Sequence, residues 1–380
     1  MSAAAALQQS TLRQFVQARD ALWARLSVFD WVSGVDLGLP PTTASANGDQ
    51  IVLRLHLRDD VVLSRGQRAM IPTVVAGIAV HQVCASYYSG VDATRPAVAA
   101  PVASARVQSG NSIGRLCGAT GTAGLLVLDR QTRQPGVLSS WQVLAGECAR
   151  RGDPVVHPGL ADADISDSDH IANLCRWMRD WDGDGAFATL ETGRRWHSAL
   201  AGQSVSQTST VIARAVAPAA IGMTLRRFGR GEGVTASVDG IGIYRRHYQN
   251  SDGSLCCVDM EGILLRETPT GAHAGAALYG AGHQGALWAL AGNEHCPEGA
   301  TGVGLQCARS QSGDAVILSD LATVLKRLDL ILPDAAPEAV ALATVDGGMK
   351  TGWGSVGDFF EYCVALEHRR DASPKQREAG

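Results

Sequence analysis

Several features are missing from this 380-residue chain, and each absence removes a class of function. There is no run of basic residues and no interleaving of basic with aromatic side chains. Lys and Arg number 33 against 37 Asp and Glu, for a formal net charge of −4. That balance argues against a nucleic-acid partner, whose phosphates call for clustered cations. No stretch of about 18 uninterrupted apolar residues occurs, so no membrane span is expected. There is no CxxC pair. The nine cysteines are odd in number and irregular in spacing, which speaks against a stapled secreted fold and for reduced thiols in a cytoplasmic protein. The opening, MSAAAALQQSTLRQF, lacks the basic and apolar regions of a secretory signal. What the chain has in quantity is glycine, 43 residues, within a composition that is 46% hydrophobic. This suits a β-rich protein with many turns and a full core.

Periodicity divides the chain into three parts. Leu7–Leu26 places Leu12, Phe15, Val16, Leu22, Trp23 and Leu26 at helical spacing, which predicts an amphipathic helix. Arg19 interrupts the stripe; its stem is expected to lie along the face with its charge in water. Trp31–Pro40 and Ile51–Arg58 alternate as strands do, and Met70–Ala85 reads as a further strand pair. Residues 1–105 are therefore expected to form a small α/β module, ending in an Ala-, Val- and Pro-rich linker at Thr94–Ala105. From 106 to 332 short apolar strands alternate with glycine turns, predicting two packed β-barrels. His170–Arg179 reads as a helical insertion, and Ser319–Leu332 as a closing helix docked by Leu321, Val324, Leu325 and Leu328. Residues 333–380 are expected to form a helical tail, with Gly357–Asp371 as its amphipathic helix.

The most informative stretch is VLSSWQVLAG, Val137–Gly146. It resembles the loop that delivers the catalytic histidine in chymotrypsin-like, or trypsin-like, serine proteases, where the pattern is leu-ser-asn-x-His-val-leu-ala. The approach strand Gly121–Asp129 fits, and so do Leu138, Ser139, Val143, Leu144 and Ala145. Gln142 stands at the histidine position, and a glutamine amide cannot act as a general base near neutral pH. GDGAFATL supplies Asp184 at the position of the family's aspartate. The nucleophile of the family sits in a Gly-Asp-Ser-Gly turn before a strand. Laid on Thr268–Gly280, that pattern falls on Ala272, His273, Ala274 and Gly275, and Ala274 carries no oxygen to attack with. Three further segments match in order. Gly152–Leu160 and Ile221–Tyr244 resemble loops of a bacterial and plant branch that includes the plant narrow-leaf protein, and Gly285–Gly292 resembles the strand after the nucleophile.

The resemblance implies a mainly β double-barrel fold with a degenerate triad at Gln142, Asp184 and Ala274, beside remnants of the oxyanion turn at Ala272, His273 and Gly275. It implies a pseudoprotease, a protein-binding or scaffolding subunit with no cofactor. Its partner would be a protein or an extended peptide, an active protease-like subunit or a second copy of the chain. Two alternatives compete. One is an active hydrolase with a rebuilt site, for which Ser310 in SQSGDAV is the hydroxyl to check. The other is a calcium-binding interaction protein. Asp180, Asp182, Asp184 and Glu191 meet the calcium-loop spacing, but an acidic turn before a strand gives the same pattern. Other candidate groups are His273 with His283 as half of a metal site, Cys256–Cys257 as nucleophiles, Arg226, Arg227 and Arg230 as a solvated or anion-contacting loop, and Trp177, Trp181 and Trp196 as a recognition patch.

Overall fold

The computed structural model describes residues 3–40, 51–90, 106–116, 119–163, 169–200, 212–230, 234–249, 254–267, 278–280, 282–290 and 299–333. The linker at Thr94–Ala105 and the helix at Gly357–Asp371 lie outside the described residues.

The chain opens with α1 (Ala3–Leu26), the helix its periodicity predicts. Val16, Leu22, Trp23 and Leu26 are buried along one face. Arg19 departs from expectation: only 2% exposed, it places its guanidinium 2.8 Å from both Asp20 and Glu261. Two nearby carboxylates make burial of the charge tolerable where water would otherwise be required. Strands β1 (Val32–Gly38) and β2 (Val52–Leu57) follow, then a short helix α2 (Arg65–Met70), β3 (Val74–Val75), β4 (Ile78–Cys84) and β5 (Tyr87–Ser89). Ser64 and Gln67 form a capping box that starts α2.

The middle of the chain contributes β6 (Val107–Ser109), β7 (Ser112–Arg115), β8 (Thr120–Thr122), β9 (Leu125–Asp129), β10 (Pro135–Ser139), α3 (Trp141–Leu144), β11 (Pro154–His157), β12 (Asp169–Asp180) and β13 (Gly183–Leu190). Then come β14 (Trp196–Leu200), β15 (Ile212–Val216), β16 (Thr224–Phe228), β17 (Thr235–Gln249), β18 (Leu255–Glu267), β19 (Leu287–Leu290), β20 (Gly299–Ser310), β21 (Ala315–Asp320), α4 (Leu321–Arg327) and β22 (Leu330–Ile331).

The molecule is mainly β, as expected, and two curled sheets organise it. Six strands close on themselves in the order β16-β17-β18-β21-β20-β19 and back to β16, every pair antiparallel. Closure removes the free edges an open sheet would expose. Leu225, Val238, Ile263, Leu265, Val303 and Val316 are part of the core it encloses. The second sheet runs β22-β9-β10-β13-β12-β11-β7-β8 and wraps Ile113, Leu126, Val137, Val155, Ile171 and Ala186. The amino-terminal strands extend the first barrel: β1 pairs antiparallel with β17 from Gly34↔Tyr244 to Gly38↔Gly240. Helix α1 and strand β1 therefore share one apolar core with β17 and β18.

Two segments differ from the sequence reading. His170–Arg179 is not a helix; it lies within β12, paired with β13 along most of its length. Ile171, Leu174, Cys175 and Met178 fit helical spacing, but a register shift between Leu174 and Arg176 moves the strand's buried side partway along. That irregularity imitates the helical period. The closing helix is shorter than expected, because β21 runs on to Asp320 and β22 returns to pair with β9. Leu321, Val324, Leu325 and Leu328 are all buried, as their spacing requires.

Candidate functional site

Asp184 begins near the tight Asp180–Gly183 hairpin and is fully buried. Its Oδ1 accepts the Trp141 backbone N–H at 2.7 Å, which ties β13 to the start of α3. Its Oδ2 accepts from Arg246 Nη1 at 3.1 Å and from the Tyr248 hydroxyl at 3.2 Å, both on β17. Its own N–H donates to Ser319 Oγ at 2.9 Å. Arg246 is likewise buried; burial pulls its pKa down, but Tyr248, Cys307 and Asp184 together push it above the usual guanidinium value. No sequence motif marked Arg246 or Tyr248, since a strand residue acquires this role only through its neighbours across the interface. Gln142, the residue after Trp141, is half-buried, and its Oε1 has no hydrogen-bond partner among the described residues.

The opposite wall is the turn that leads into β19. Ala272, His273, Ala274 and Gly275 lie outside the described residues. The turn that enters β19 directly is Gly282-His283-Gln284-Gly285, with glycine at its first and fourth positions. It is packed against the Gln142 loop. A Cβ on Gly285, whose φ is +85°, would sit 2.0 Å from Ser139 Oγ and 3.1 Å from the Ser140 nitrogen, so no larger residue fits there. The Gln284 carbonyl accepts the Thr122 N–H at 2.8 Å. Its side-chain Nε2 donates to the Cys307 carbonyl at 2.5 Å, while its Oε1 is buried with no partner among the described residues. The signal for this turn was the Gly-x-x-Gly spacing just before GALWALAG.

Behind the turn the Arg226–Arg230 segment is no solvated loop: Arg227 and Arg230 are 3% and 1% exposed. Arg230 pairs with Asp162 at 2.6 Å, and Arg227 donates to the Leu278 carbonyl at 2.6 Å. Burial lowers Arg227 to about 10. His283 accepts the Gly280 N–H at Nδ1, 2.9 Å away. Burial, then the charges of Arg227 and Arg230, push its pKa down to about 2. This histidine stays neutral in the native state and binds a proton near pH 6.5 when unfolded. Between those values the unfolded state holds the extra proton, so stability rises with pH, by about 1.4 kcal/mol per unit for this one group. Denaturant titrations from pH 7 down to pH 4 should show that slope in the wild type and its loss in His283→Asn. Equal slopes would mean the imidazole is charged in the fold.

The remaining sequence candidates do not gather here. Asp180 and Asp182 face Arg327, with Asp180 at 2.7 Å, whereas Asp184 points inward. Strand β13 carries Glu191 roughly 25 Å from the hairpin at about 3.3 Å per residue, and the helix a calcium loop needs before it is replaced by β12. Among the described residues no cluster of three or more His, Cys, Asp and Glu side chains is placed to hold a metal ion. Ser310 Oγ closes the β20–β21 turn, accepting the Gly313 and Ala315 N–H groups at 3.1 Å. Cys256 is half-buried and Cys257 exposed on β18. Trp177 and Trp181 are exposed near the hairpin. No helix among the described residues is long and apolar enough to cross a membrane.

No protein-family model matches the chain, and no curated protein matches it. Solved serine-protease structures do resemble it. Protease A of Thermobifida fusca is similar over 60% of this chain and 98% of its own, at 14% identity and a TM-score of 0.40. A Nocardiopsis protease is similar over 60% and 99%, at 13% identity and 0.38. A chymotrypsin of Cellulomonas bogoriensis is similar over 60% and 98%, at 14% identity and 0.38. At these identities and TM-scores the likeness is one of chain course. The closed six-stranded barrel and its curled companion stand on the strand pairing within this chain.

Proposed function

We propose that this chain is a trypsin-like fold without peptidase activity, acting as a protein-binding or scaffolding subunit. The observation that carries the reading is the state of Asp184. In a serine triad this carboxylate must accept from the histidine to orient it. Here Trp141 engages one oxygen, and Arg246 with Tyr248 engages the other. Gln142 stands at the base position and offers no basic nitrogen. On this reading the nucleophile position falls at Gln284, the third residue of the Gly-x-x-Gly turn into β19, and an amide offers no hydroxyl. The partner, a protein or peptide or a second copy of the chain, would be held by surface and strand pairing, which need no triad.

Two measurements test this. A fluorophosphonate probe should label no serine in the native protein, Ser310 included; covalent labelling would support an active hydrolase and end the proposal. The double variant Gln142→His with Gln284→Ser should stay without detectable turnover of peptide esters, because a new imidazole would have to displace Arg246 from Asp184. Robust turnover would show that the site needs only its two side chains back.

A further inference from the structure

Strand β5 and the glycine after it reach both the Gln142 wall and the Gln284 wall. It runs parallel to β17, with Arg246↔Tyr87, His247↔Tyr88 and Tyr248↔Ser89 in register. On its other side it runs antiparallel to β20, with Arg309↔Tyr88 and Ser310↔Tyr87. Strand β19 covers β20 only as far as Leu305. Gly285 and Ala286 bond Gln306, and past it the edge of β20 is taken by β5 at Arg309 and Ser310. Ser89 Oγ donates to the Cys307 carbonyl at 2.8 Å, the same oxygen that receives Gln284 Nε2. The Gly90 carbonyl accepts from the Tyr279 hydroxyl at 2.5 Å. A Cβ on Gly90 would lie 3.3 Å from Gln142 Nε2. The segment thus ends against Gln142, over the carbonyl that Gln284 holds.

We infer that Tyr87–Gly90 is a built-in occupant of a peptide slot: it takes the strand position on β20 that an extended peptide would use, and its release controls peptide binding. This rests on the reading of the molecule as a non-catalytic binding protein. An extended peptide entering between Gln142 and Gln284 gains its main-chain bonds by adding to the edge of β20, and that edge is already paired. The occupant is short, three paired residues, held at one end by the buried Tyr87 ring and at the other by the Ser89–Cys307 and Tyr279–Gly90 hydrogen bonds. Tyr87 is buried and bonds His56 Nδ1 at 2.7 Å. Tyr88 is half-buried beside His247, and Gly90, at φ +139°, is partly exposed. Release can therefore proceed from the Gly90 end while Tyr87 stays in place. A slot closed in cis lowers the apparent affinity for any peptide by the fraction of molecules in which it is open.

The test uses the full chain and fluorescein-labelled β-casein, an unfolded protein rich in extended segments. In the double variant Ser89→Pro with Gly90→Val, proline removes an N–H from the strand, and valine at a positive φ is strained beside Gln142. Anisotropy titration should show casein binding strengthened at least about tenfold over wild type, and a synthetic Ala85–Gly90 peptide should suppress it. Equal binding by a folded variant overturns the proposal. Wild-type amide exchange decides the matter if the variant does not fold. Peptides spanning Tyr88–Gly90 should exchange well before those spanning Arg246–Tyr248; exchange only with global unfolding would make β5 an integral strand and overturn the inference. Fluorophosphonate labelling run on the same samples reports on catalytic silence separately, so the two readings fail on different observations.

Discussion

Replacing Asp36 with alanine is expected to lower unfolding stability by about 3–5 kcal/mol. Asp36 lies on β1, fully buried where β1 meets β2 and β17. Arg54 grips it with two nitrogens, at 2.7 and 2.6 Å, and a third reaches Asp239 at 2.9 Å. Tyr244 donates to Asp36 Oδ2 at 2.7 Å, and His56 Nε2 lies 3.1 Å from the same oxygen. Burial alone would raise the pKa of this carboxyl; the charge of Arg54 and its hydrogen bonds, with the His56 ring beside them, outweigh it and hold the group far below the usual carboxylate range. Truncation removes the main counter-charge of Arg54 inside the protein and leaves the Tyr244 hydroxyl without its acceptor. Urea titration of the wild type and Asp36→Ala measures the loss. A second variant, Asp36→Leu with Arg54→Met, should cost less than Asp36→Ala, because it removes both charges together. The pH dependence has a definite sign. Since the folded pKa is depressed, the stabilisation is complete above the unfolded value near 4 and falls away as pH drops toward the folded value. A loss under about 1 kcal/mol would place this network in water rather than in the core.

Replacing Arg246 with alanine should cost a similar amount, about 3–5 kcal/mol, by stranding Asp184. Both side chains are fully buried and face each other across the junction of the two sheets. Arg246 also lies over the Tyr248 ring, 5.1 Å from its centre. Asp184 would keep the Trp141 N–H and the Tyr248 hydroxyl but lose its only cationic partner among the described residues. Asp184→Asn combined with Arg246→Met should recover part of the loss, and a thermodynamic cycle over the four proteins gives the coupling directly. Additive single and double losses would show that the pair does not hold the sheets together. The same variant sharpens the functional reading: Arg246→Ala removes the cation from Asp184 Oδ2 and leaves the Tyr248 hydroxyl there, yet with Gln142 and Gln284 in place turnover should still be absent.

Much of this was legible in the chain because it rests on local pattern. The helix of α1, the β-rich middle and the buried stripe of α4 follow from period and composition. That residue 142 carries an amide is a matter of side-chain identity. Other features misled for local reasons. The irregularity in β12 gave a strand the spacing of a helix, and that false helix gave the acidic hairpin its resemblance to a calcium loop. Arg19, Arg227 and Arg230 look solvent-facing in sequence because a guanidinium is costly to bury; Glu261 and Asp162, far along the chain, are what make Arg19 and Arg230 tolerable. The two glycines of the turn before β19 stand in the sequence, but only the folded chain shows that this turn meets the Gln142 loop.

By itself, then, the sequence determined that two barrels of strands would form and that residue 142 would carry an amide. Tertiary structure alone decided that Asp184 would be held by Arg246 and Tyr248, and that Tyr87–Gly90 would lie along β20. The reason is physical. Backbone period and side-chain chemistry belong to each residue, whereas the partner of a buried charge and the occupant of a strand edge depend on which distant segments the closed sheets bring into contact.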